Sequence, residues 1–304
     1  MGKFPRKWNP YSNVISTSET LNDQNVQPLP LNRSFDLVCF HVLYNRAAFE
    51  KYLPKDTTYI GIMRDPYGMF RSILSYFRPR QVLGYKGKDP ITEFFEKGNY
   101  MGMGDIFLTA NPLAYEYGAP IELQQNHNTT LLNAFIKQLE QEFRMIIISD
   151  FFEESMVLMR RLLNWGTKDV LYVDLNVSNK SNFKVVATSK HRDLVYKRAS
   201  LDVVIYKHFY RRLWQQIREE GDDFFDELLE YRRLRRKVNI FCSEKEYQTD
   251  NVMVVEKTPW SEGFEVKYMD CKLMTMFEMH FTKMIREKQW GPQISEQVES
   301  EYHS

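Results

Sequence analysis

Hydrophobic residues along the chain fall into two alternating patterns. Short apolar runs such as Met145–Ser149 are typical of buried strands. Between such runs, apolar residues recur at helical spacing, and in Pro66–Phe77 they follow the i, i+3, i+4, i+7 pattern. Strands that alternate with helices predict an α/β fold with a mainly parallel sheet flanked by helices. The predicted strands are Phe35–Phe40, Thr58–Met63, Met145–Ser149 and Asp169–Leu175, and the predicted helices are Arg46–Leu53, Pro66–Phe77, Asp89–Gly98, Asn128–Phe143 and Phe152–Trp165.

The same pattern divides the chain along its length. Residues 1–34 are polar and rich in turn-forming residues, which predicts an irregular N-terminal segment. Residues 35–245 hold the alternating strands and helices, and within them residues 99–127 form an irregular insertion of the kind that often builds a binding cleft. From Ser189 onward the pattern is helical, so we expect residues 246–304 to be a helical extension that packs on the domain.

Composition supports a folded domain and argues against some partners. Hydrophobic residues make up 43% of the 304 residues, enough for a sizeable core, and the formal net charge is +1. This balance of charge does not predict binding to nucleic acid or to an acidic membrane. Two stretches are locally uneven, the acidic Glu219–Glu230 and the basic Tyr231–Val238. We expect both of them, and the pair Glu153 and Glu154, to be solvated parts of helices.

The cysteines and the sequons bear on the cellular compartment. Three cysteines without CxxC spacing exclude a disulfide scaffold and a cysteine zinc cluster. A disulfide between Cys242 and Cys271 is compatible with the sequence, and so are free thiols at both positions. No run is apolar and long enough to span a membrane, no signal-peptide segment follows Met1, and the histidines lack metal-binding spacing, so no metal is predicted. Four sequons slightly favour a secretory lumen, and they begin at Asn32, Asn128, Asn176 and Asn179.

A candidate ligand site lies where the second predicted strand ends. Arg64 follows the apolar run, and Asp65 is a good N-cap for the helix that comes next. Ligands of open parallel sheets bind beyond the carboxyl ends of the strands, and an arginine beside a helix N-terminus favours a phosphate. Gly68 and Ser72 lie opposite the apolar stripe of this helix, where they leave room for a ligand and offer it a hydroxyl. Spacing alone does not separate this arrangement from an ordinary surface arginine.

The segment Ile60–Arg78 resembles the 3′-phosphate-binding segment of Golgi carbohydrate sulfotransferases, in which an arginine at a strand end is followed eight residues later by a serine. Arg64 and Ser72 have that spacing. The resemblance is strongest to the galactose-3-O-sulfotransferase family, which includes the galactosylceramide sulfotransferases, and it covers about residues 35–245. The other segments that carry it are Phe35–Val42, Tyr206–Ile217 and, most specifically, Phe151–Asn176.

The resemblance implies a fold, a reaction and a place in the cell. The fold would be the P-loop-NTPase-like sulfotransferase fold. The donor would be 3′-phosphoadenosine 5′-phosphosulfate, whose sulfonate is transferred to the 3-hydroxyl of a terminal β-galactose on a glycolipid such as galactosylceramide, or on a glycan. His41 matches a histidine of the family's active site and would act as the base, while Arg64 and Ser72 would hold the 3′-phosphate. The family places such an enzyme on the lumenal face of the Golgi membrane, as a glycoprotein.

One departure from the family pattern is large. The family opens with a strand and a loop of the type H-K-T-x-S-S-T that cradles the 5′-phosphosulfate, and this sequence has no such loop. We therefore expect an N-terminally shortened member, with membrane association only through an anchor that would precede these residues. A catalytically inactive member or fragment that binds a glycan or a protein partner is the alternative. An unrelated P-loop nucleotide binder is disfavoured, because no GxxxxGK[ST] motif occurs.

Overall fold

The computed structural model describes residues 19–23, 25–26, 35, 37–38, 42–76, 89–97, 110–126, 128–175, 188–243 and 251–290. Helices dominate this part of the chain, and two small sheets accompany them. In chain order the elements are α1 (Arg46–Phe49), β1 (Tyr59–Met63), α2 (Pro66–Tyr76), α3 (Pro90–Lys97), α4 (Pro112–Glu116), α5 (Ile121–Gln125), α6 (Thr129–Glu142), β2 (Phe143–Ile148), α7 (Phe152–Leu163), α8 (Ser189–Arg198), α9 (Ser200–Glu219), α10 (Phe224–Ser243), β3 (Val252–Val255), β4 (Phe264–Lys267), α11 (Tyr268–Thr275) and α12 (Glu278–Trp290).

Strands β1 and β2 form a parallel pair at the centre of the fold. Their register runs from Ile60 opposite Met145 to Met63 opposite Ile148, so both strands end at the same edge. This confirms two of the predicted strands and their parallel pairing. Of the predicted strand Phe35–Phe40, the structure describes residues 35, 37 and 38, none of which belongs to a strand, and the rest lies outside the described residues.

The main core lies between the two strands and the long helices α6, α7, α9 and α10. The sequence of α9 explains its helical structure. Its apolar residues recur every four positions and are buried against β2 and its neighbours, and these residues are Ile205, Phe209, Leu213 and Ile217. Each such side chain contributes roughly 1.5–3 kcal/mol by leaving water. Helix α7 ends at a residue in the left-handed conformation, Asn164 with φ of 52°, which accounts for its termination.

The prediction of a strand at Asp169–Leu175 is wrong. The structure has a short 3₁₀ helix at Thr167–Val170, and the residues after it have no regular structure. Side chains of α10 provide the backbone partners here: the Tyr231 hydroxyl donates to the carbonyl of Val170 at 2.7 Å, and the Asn239 side chain accepts a backbone N–H at 2.9 Å. Backbone groups that side chains satisfy in this way do not need a neighbouring strand.

The structure contradicts part of the prediction that two charged stretches, Glu219–Glu230 and Tyr231–Val238, are solvated. The prediction is wrong for the residues that face α7. Glu227 of α10 is only 3% exposed, and its carboxylate accepts hydrogen bonds from Arg160 and Arg161 of α7. A carboxylate excluded from water in this way requires cationic partners, and the two arginines of α7 provide them.

The expectation that Glu153 and Glu154 are solvated is wrong for the same reason. Arg232 of α10 donates to Glu153 at 2.8 Å and to Glu154 at 2.7 Å, and Arg235 donates to Glu153 at 2.7 Å. These arginines hold the pKa of Glu153 below its ordinary value, against the opposing effect of burial. The acidic start of α7 and the basic middle of α10 therefore form one interhelical network.

The C-terminal part contains two strands that the helical pattern did not predict. Strands β3 and β4 pair antiparallel, and the run of apolar, mostly β-branched residues at Val252–Val255 is the sequence signal that could have revealed β3. Helices α11 and α12 follow, in agreement with the predicted helical character. A disulfide joins Cys242 of α10 to Cys271 of α11, which decides between the two alternatives that the sequence left open.

The described part of the predicted insertion is anchored to α9 by two reciprocal caps. The side chain of Asn111, just before α4, accepts the backbone N–H groups of Leu201 and Asp202 at 3.0 and 3.2 Å. The carboxyl group of Asp202, which is fully buried, accepts two N–H groups from the first turn of α4 at 2.8 and 2.9 Å. Asn111 therefore caps the start of α9, and Asp202 caps the start of α4, in each case by accepting N–H groups that have no partner within the helix.

Candidate functional site

The corner between β1 and α2 is built around Asp65. The Gly68 N–H donates to Asp65 Oδ2 at 2.8 Å, and the Met69 N–H donates to the Asp65 carbonyl at 2.8 Å. This confirms the predicted role of Asp65 as a helix cap. It also lowers the number of free donors at the helix start, because Pro66 has no N–H and that of Gly68 is used. A phosphate bound here would therefore depend on side chains more than on the helix terminus.

A second carboxylate, Asp150, lies beside Asp65 at the same sheet edge. Asp150 is the second residue after β2, as Asp65 is the second after β1, and its Oδ2 accepts the backbone N–H of Asp65 at 2.9 Å. Sequence reasoning missed this residue, although its position just after the third predicted strand was the signal that could have found it.

Two tyrosines donate to these carboxylates. The Tyr196 hydroxyl of α8 donates to Asp65 Oδ1 at 2.6 Å, and the Tyr206 hydroxyl of α9 donates to Asp150 Oδ2 at 3.3 Å. Burial, and then the hydrogen bond to Asp65, raise the pKa of Tyr196 to about 12. Burial and the charge of Asp150 also raise the pKa of Tyr206. Both hydroxyls therefore stay protonated at neutral pH and remain donors.

Arg64 lies on the exposed side of this corner, along the face of α2 that carries Gly68. A Cβ atom added at Gly68 would lie 3.3 Å from Arg64 Nε, so the glycine leaves room for the arginine side chain. Among the described residues Arg64 has no hydrogen bond or ion pair from its guanidinium. Ser72 is also exposed and follows Gly68 by one helical turn. The structure thus brings Arg64, Gly68 and Ser72 to one solvent-accessible face.

His41 lies outside the described residues. Val38 and Val42, which flank it in sequence, both line a cavity of about 710 Å³ beside β1. The walls of this cavity are mainly apolar and aromatic, and Arg64 and Ser72 are not among its lining residues. The structure therefore separates two features, an apolar cavity beside β1 and a polar corner at the end of β1.

Two features are absent from the described ranges. Within them no helix is both long and apolar enough to cross a membrane. Within the same ranges, no three His, Cys, Asp or Glu side chains are grouped so as to hold a metal ion.

The mixed α/β fold thus places an arginine at the carboxyl end of a parallel strand, which is the edge where open α/β sheets bind their ligands. The family model described as galactose-3-O-sulfotransferase matches residues 12–284, and the chain belongs to the galactose-3-O-sulfotransferase family.

Curated relatives agree with this family. The chain is 28% identical over 248 residues to galactose-3-O-sulfotransferase 3 of Mus musculus, which covers 79% of this chain and 58% of the relative. It is 25% identical over 238 residues to galactosylceramide sulfotransferase of Bos taurus, covering 74% of this chain and 55% of that protein. The chain thus spans little more than half the length of these relatives. No solved structure matches it.

Proposed function

We propose that this protein is a sulfotransferase that uses 3′-phosphoadenosine 5′-phosphosulfate to sulfonate the 3-hydroxyl of a terminal β-galactose. The observation that carries the proposal is the exposed face of Arg64, Gly68 and Ser72 at the end of β1, inside the region that the family model matches. The residues present suit a phosphate: a guanidinium without a carboxylate partner among the described residues, a glycine beside it, and an exposed hydroxyl.

Each residue has a defined task in the proposed reaction. Arg64 and Ser72 bind the 3′-phosphate of the donor and so fix its position. His41 takes the proton of the galactose 3-hydroxyl as the galactose O3–sulfur bond forms. The donor supplies the sulfonate, whose bond to the 5′-phosphate oxygen breaks, and adenosine 3′,5′-bisphosphate leaves with that electron pair. Positioning of this kind accounts for much of the rate advantage in group transfer.

The proposed acceptor is a galactose-terminated glycolipid, such as galactosylceramide, or a galactose-terminated glycan. The relatives' names include both a galactose-3-O-sulfotransferase and a galactosylceramide sulfotransferase. The proposed site of action is the lumenal face of the Golgi membrane, with an N-terminal anchor as the means of attachment. The disulfide between Cys242 and Cys271 supports an oxidising lumen, since such bonds form and persist there rather than in the cytosol.

A catalytically inactive family member that binds a glycan or a protein partner is the second candidate. The observation that favours it is the absence of an H-K-T-x-S-S-T loop from the sequence. In a family member without the lysine and hydroxyls of such a loop, the developing charge on the leaving phosphate would lack stabilising groups.

Sulfate transfer by the purified protein, with galactosylceramide and lactosyl acceptors side by side, tests the proposal. We expect Arg64→Ala to weaken donor binding by roughly 10- to 100-fold, the usual effect of losing a charged hydrogen bond. Arg218→Ala is the matched control, because Arg218 is an equally exposed arginine in the last turn of α9. Unchanged donor affinity in Arg64→Ala would overturn the donor assignment. Acceptor binding without any transfer would favour the inactive member.

A further inference from the structure

In addition to Arg64, the corner has a second arginine on α2. Arg64 precedes α2, but its Nε lies 3.3 Å from the position that a Cβ of Gly68 would take, and Arg71 follows Gly68 by three residues within the helix, so both arginines neighbour Gly68. Arg71 is exposed, and its guanidinium carbon lies 5.8 Å from the centre of the Tyr67 ring. The start of α2 therefore has two arginines near Gly68 rather than one.

A third arginine reaches the same place from α8. The guanidinium carbon of Arg192 lies 5.7 Å from the centre of the Tyr67 ring, so Arg71 and Arg192 share one aromatic contact. Two contacts hold α8 against the start of α2: Val195 packs with Tyr67 in a small apolar cluster, and Tyr196 donates to Asp65. Arg192 lies one turn before Tyr196 and is therefore held near the start of α2.

The acidic groups nearby already have donors of their own. Asp65 accepts the Gly68 N–H and the Tyr196 hydroxyl, and Asp89 accepts hydrogen bonds from Thr92 and approaches His191 Nε2 at 2.8 Å.

The three arginines, in contrast, have no ion pair with any residue that the structure describes. The Tyr67 hydroxyl is buried, and it too has no hydrogen-bond partner within the described ranges. Among the described residues, the region between α2 and α8 thus holds guanidinium groups without an ion pair and a hydroxyl without a hydrogen bond. The carboxylates beside them already accept hydrogen bonds from other groups. An anion with several acceptor oxygens is the ligand that satisfies such a set.

We propose that Arg71 and Arg192 join Arg64 in binding the 3′-phosphate of the donor. The proposal rests on the proposed function and extends it, because it adds two contacts and a second element, α8, to the phosphate site. Guanidinium groups arriving from two helices can surround a phosphate dianion more completely than Arg64 and Ser72 alone. The cluster would therefore make binding depend on the 3′-phosphate, which adenosine 5′-phosphate lacks.

Calorimetric binding of adenosine 3′,5′-bisphosphate and adenosine 5′-phosphate to the whole protein tests this. Arg192→Ala and Arg71→Ala should each weaken bisphosphate binding by roughly tenfold or more, while adenosine 5′-phosphate binding stays within about twofold. Arg192→Lys should recover only part of the loss, since lysine keeps the charge without the planar fork. Arg218→Ala is again the control, and thermal melting of every variant verifies that it is folded.

The outcomes separate this proposal from the one on which it rests. If Arg64→Ala weakens bisphosphate binding while Arg71→Ala and Arg192→Ala do not, the arginine cluster is wrong and the sulfotransferase proposal stands. If the unsubstituted protein binds the bisphosphate no better than adenosine 5′-phosphate, the donor assignment itself fails and the cluster fails with it. An equal loss for both nucleotides in Arg192→Ala would indicate a structural role, and would also overturn the proposal.

Discussion

At the scale of single residues, the partners of Asp65 explain why Arg64 is available to a ligand. An arginine followed directly by an aspartate could form a local ion pair, but Asp65 accepts the Gly68 N–H and the Tyr196 hydroxyl instead. Because the pKa of Tyr196 is raised to about 12, that hydroxyl remains a donor throughout the neutral range. The charge of Arg64 is therefore left for the solvent side of the corner, where Gly68 leaves space for it.

Asp202 is the residue for which we predict a pH effect on stability. Burial raises its pKa to about 8, although the hydrogen bonds from Ala114 and Leu113 act in the opposite direction. The folded-state pKa lies above the ordinary value of 3.8, so the folded state binds the proton more tightly than the unfolded state. The stabilising contribution of this group is therefore complete below about pH 4 and is lost as the pH rises towards about 8.

Urea unfolding at about pH 6, 7 and 8.5 tests the Asp202 prediction. The unfolding free energy should fall over this range, and Asp202→Asn should remove much of that fall while lowering stability at every pH by about 1–3 kcal/mol. The loss arises because the two α4 N–H groups donate to different oxygens of Asp202, and in asparagine one of these oxygens is replaced by an NH2 group, which cannot accept. An Asp202→Asn protein with the same pH slope as the unsubstituted protein would contradict the pKa assignment.

At the scale of elements, charge pairing determines how α7 and α10 pack. Their contact contains Glu227 with Arg160 and Arg161, and a second group in which arginines of α10 bind Glu153 and Glu154. These charges are largely withdrawn from water, so each depends on its partners far more than an exposed ion pair does.

Glu227→Ala should destabilise the protein by roughly 3–5 kcal/mol, because it leaves Arg160 without its carboxylate and removes the most buried of the carboxylates that Arg161 binds. Glu230→Ala is the matched control in the same helix, since Glu230 forms only an exposed pair with Arg233 at 3.9 Å. We expect that control to change stability by about 0–1 kcal/mol. Chemical denaturation of both variants measures the difference, and equal effects would show that burial does not govern this network.

At the scale of the whole molecule, the disulfide connects the C-terminal strands and helices to the main domain. It joins α10, which packs against α7 in the core, to α11, which follows β4. Around it, Val238 of α10 and Val266 of β4 belong to a small apolar cluster of their own. The bond therefore ties α11 to α10 across a sequence separation of 29 residues between the two cysteines.

Replacing Cys242 and Cys271 together by serine should lower the free energy of unfolding by roughly 3–4 kcal/mol, the chain-entropy value for a loop of this length. Thermal melting with and without reductant measures the effect. A reductant should lower the Tm of the unsubstituted protein and leave that of the double variant unchanged. If a reductant does not change the Tm of the unsubstituted protein, the pairing of Cys242 with Cys271 is contradicted. The third cysteine, Cys39, is present in both proteins, so the comparison between them tests only the pair Cys242 and Cys271.

The part of the fold that sequence could predict is the part that depends on local pattern. The strands Tyr59–Met63 and Phe143–Ile148 and the helices α2, α6 and α7 follow directly from runs and periods of apolar residues. The strand predicted at Asp169–Leu175 failed because its backbone is satisfied by side chains of α10, sixty residues away in sequence. Such long-range partners leave no mark on the local pattern.

By itself, the sequence determined the family, the strand-to-helix corner with Asp65 as its cap, and the alignment of Arg64 with Ser72, since these depend on residue type and on spacing within one helix. Only the tertiary structure decided which charges are solvated and which are buried, that Cys242 and Cys271 pair, and that Asp150, Tyr196 and Arg192 lie at the corner. These residues come from distant elements, and packing against the common core is what brings them together.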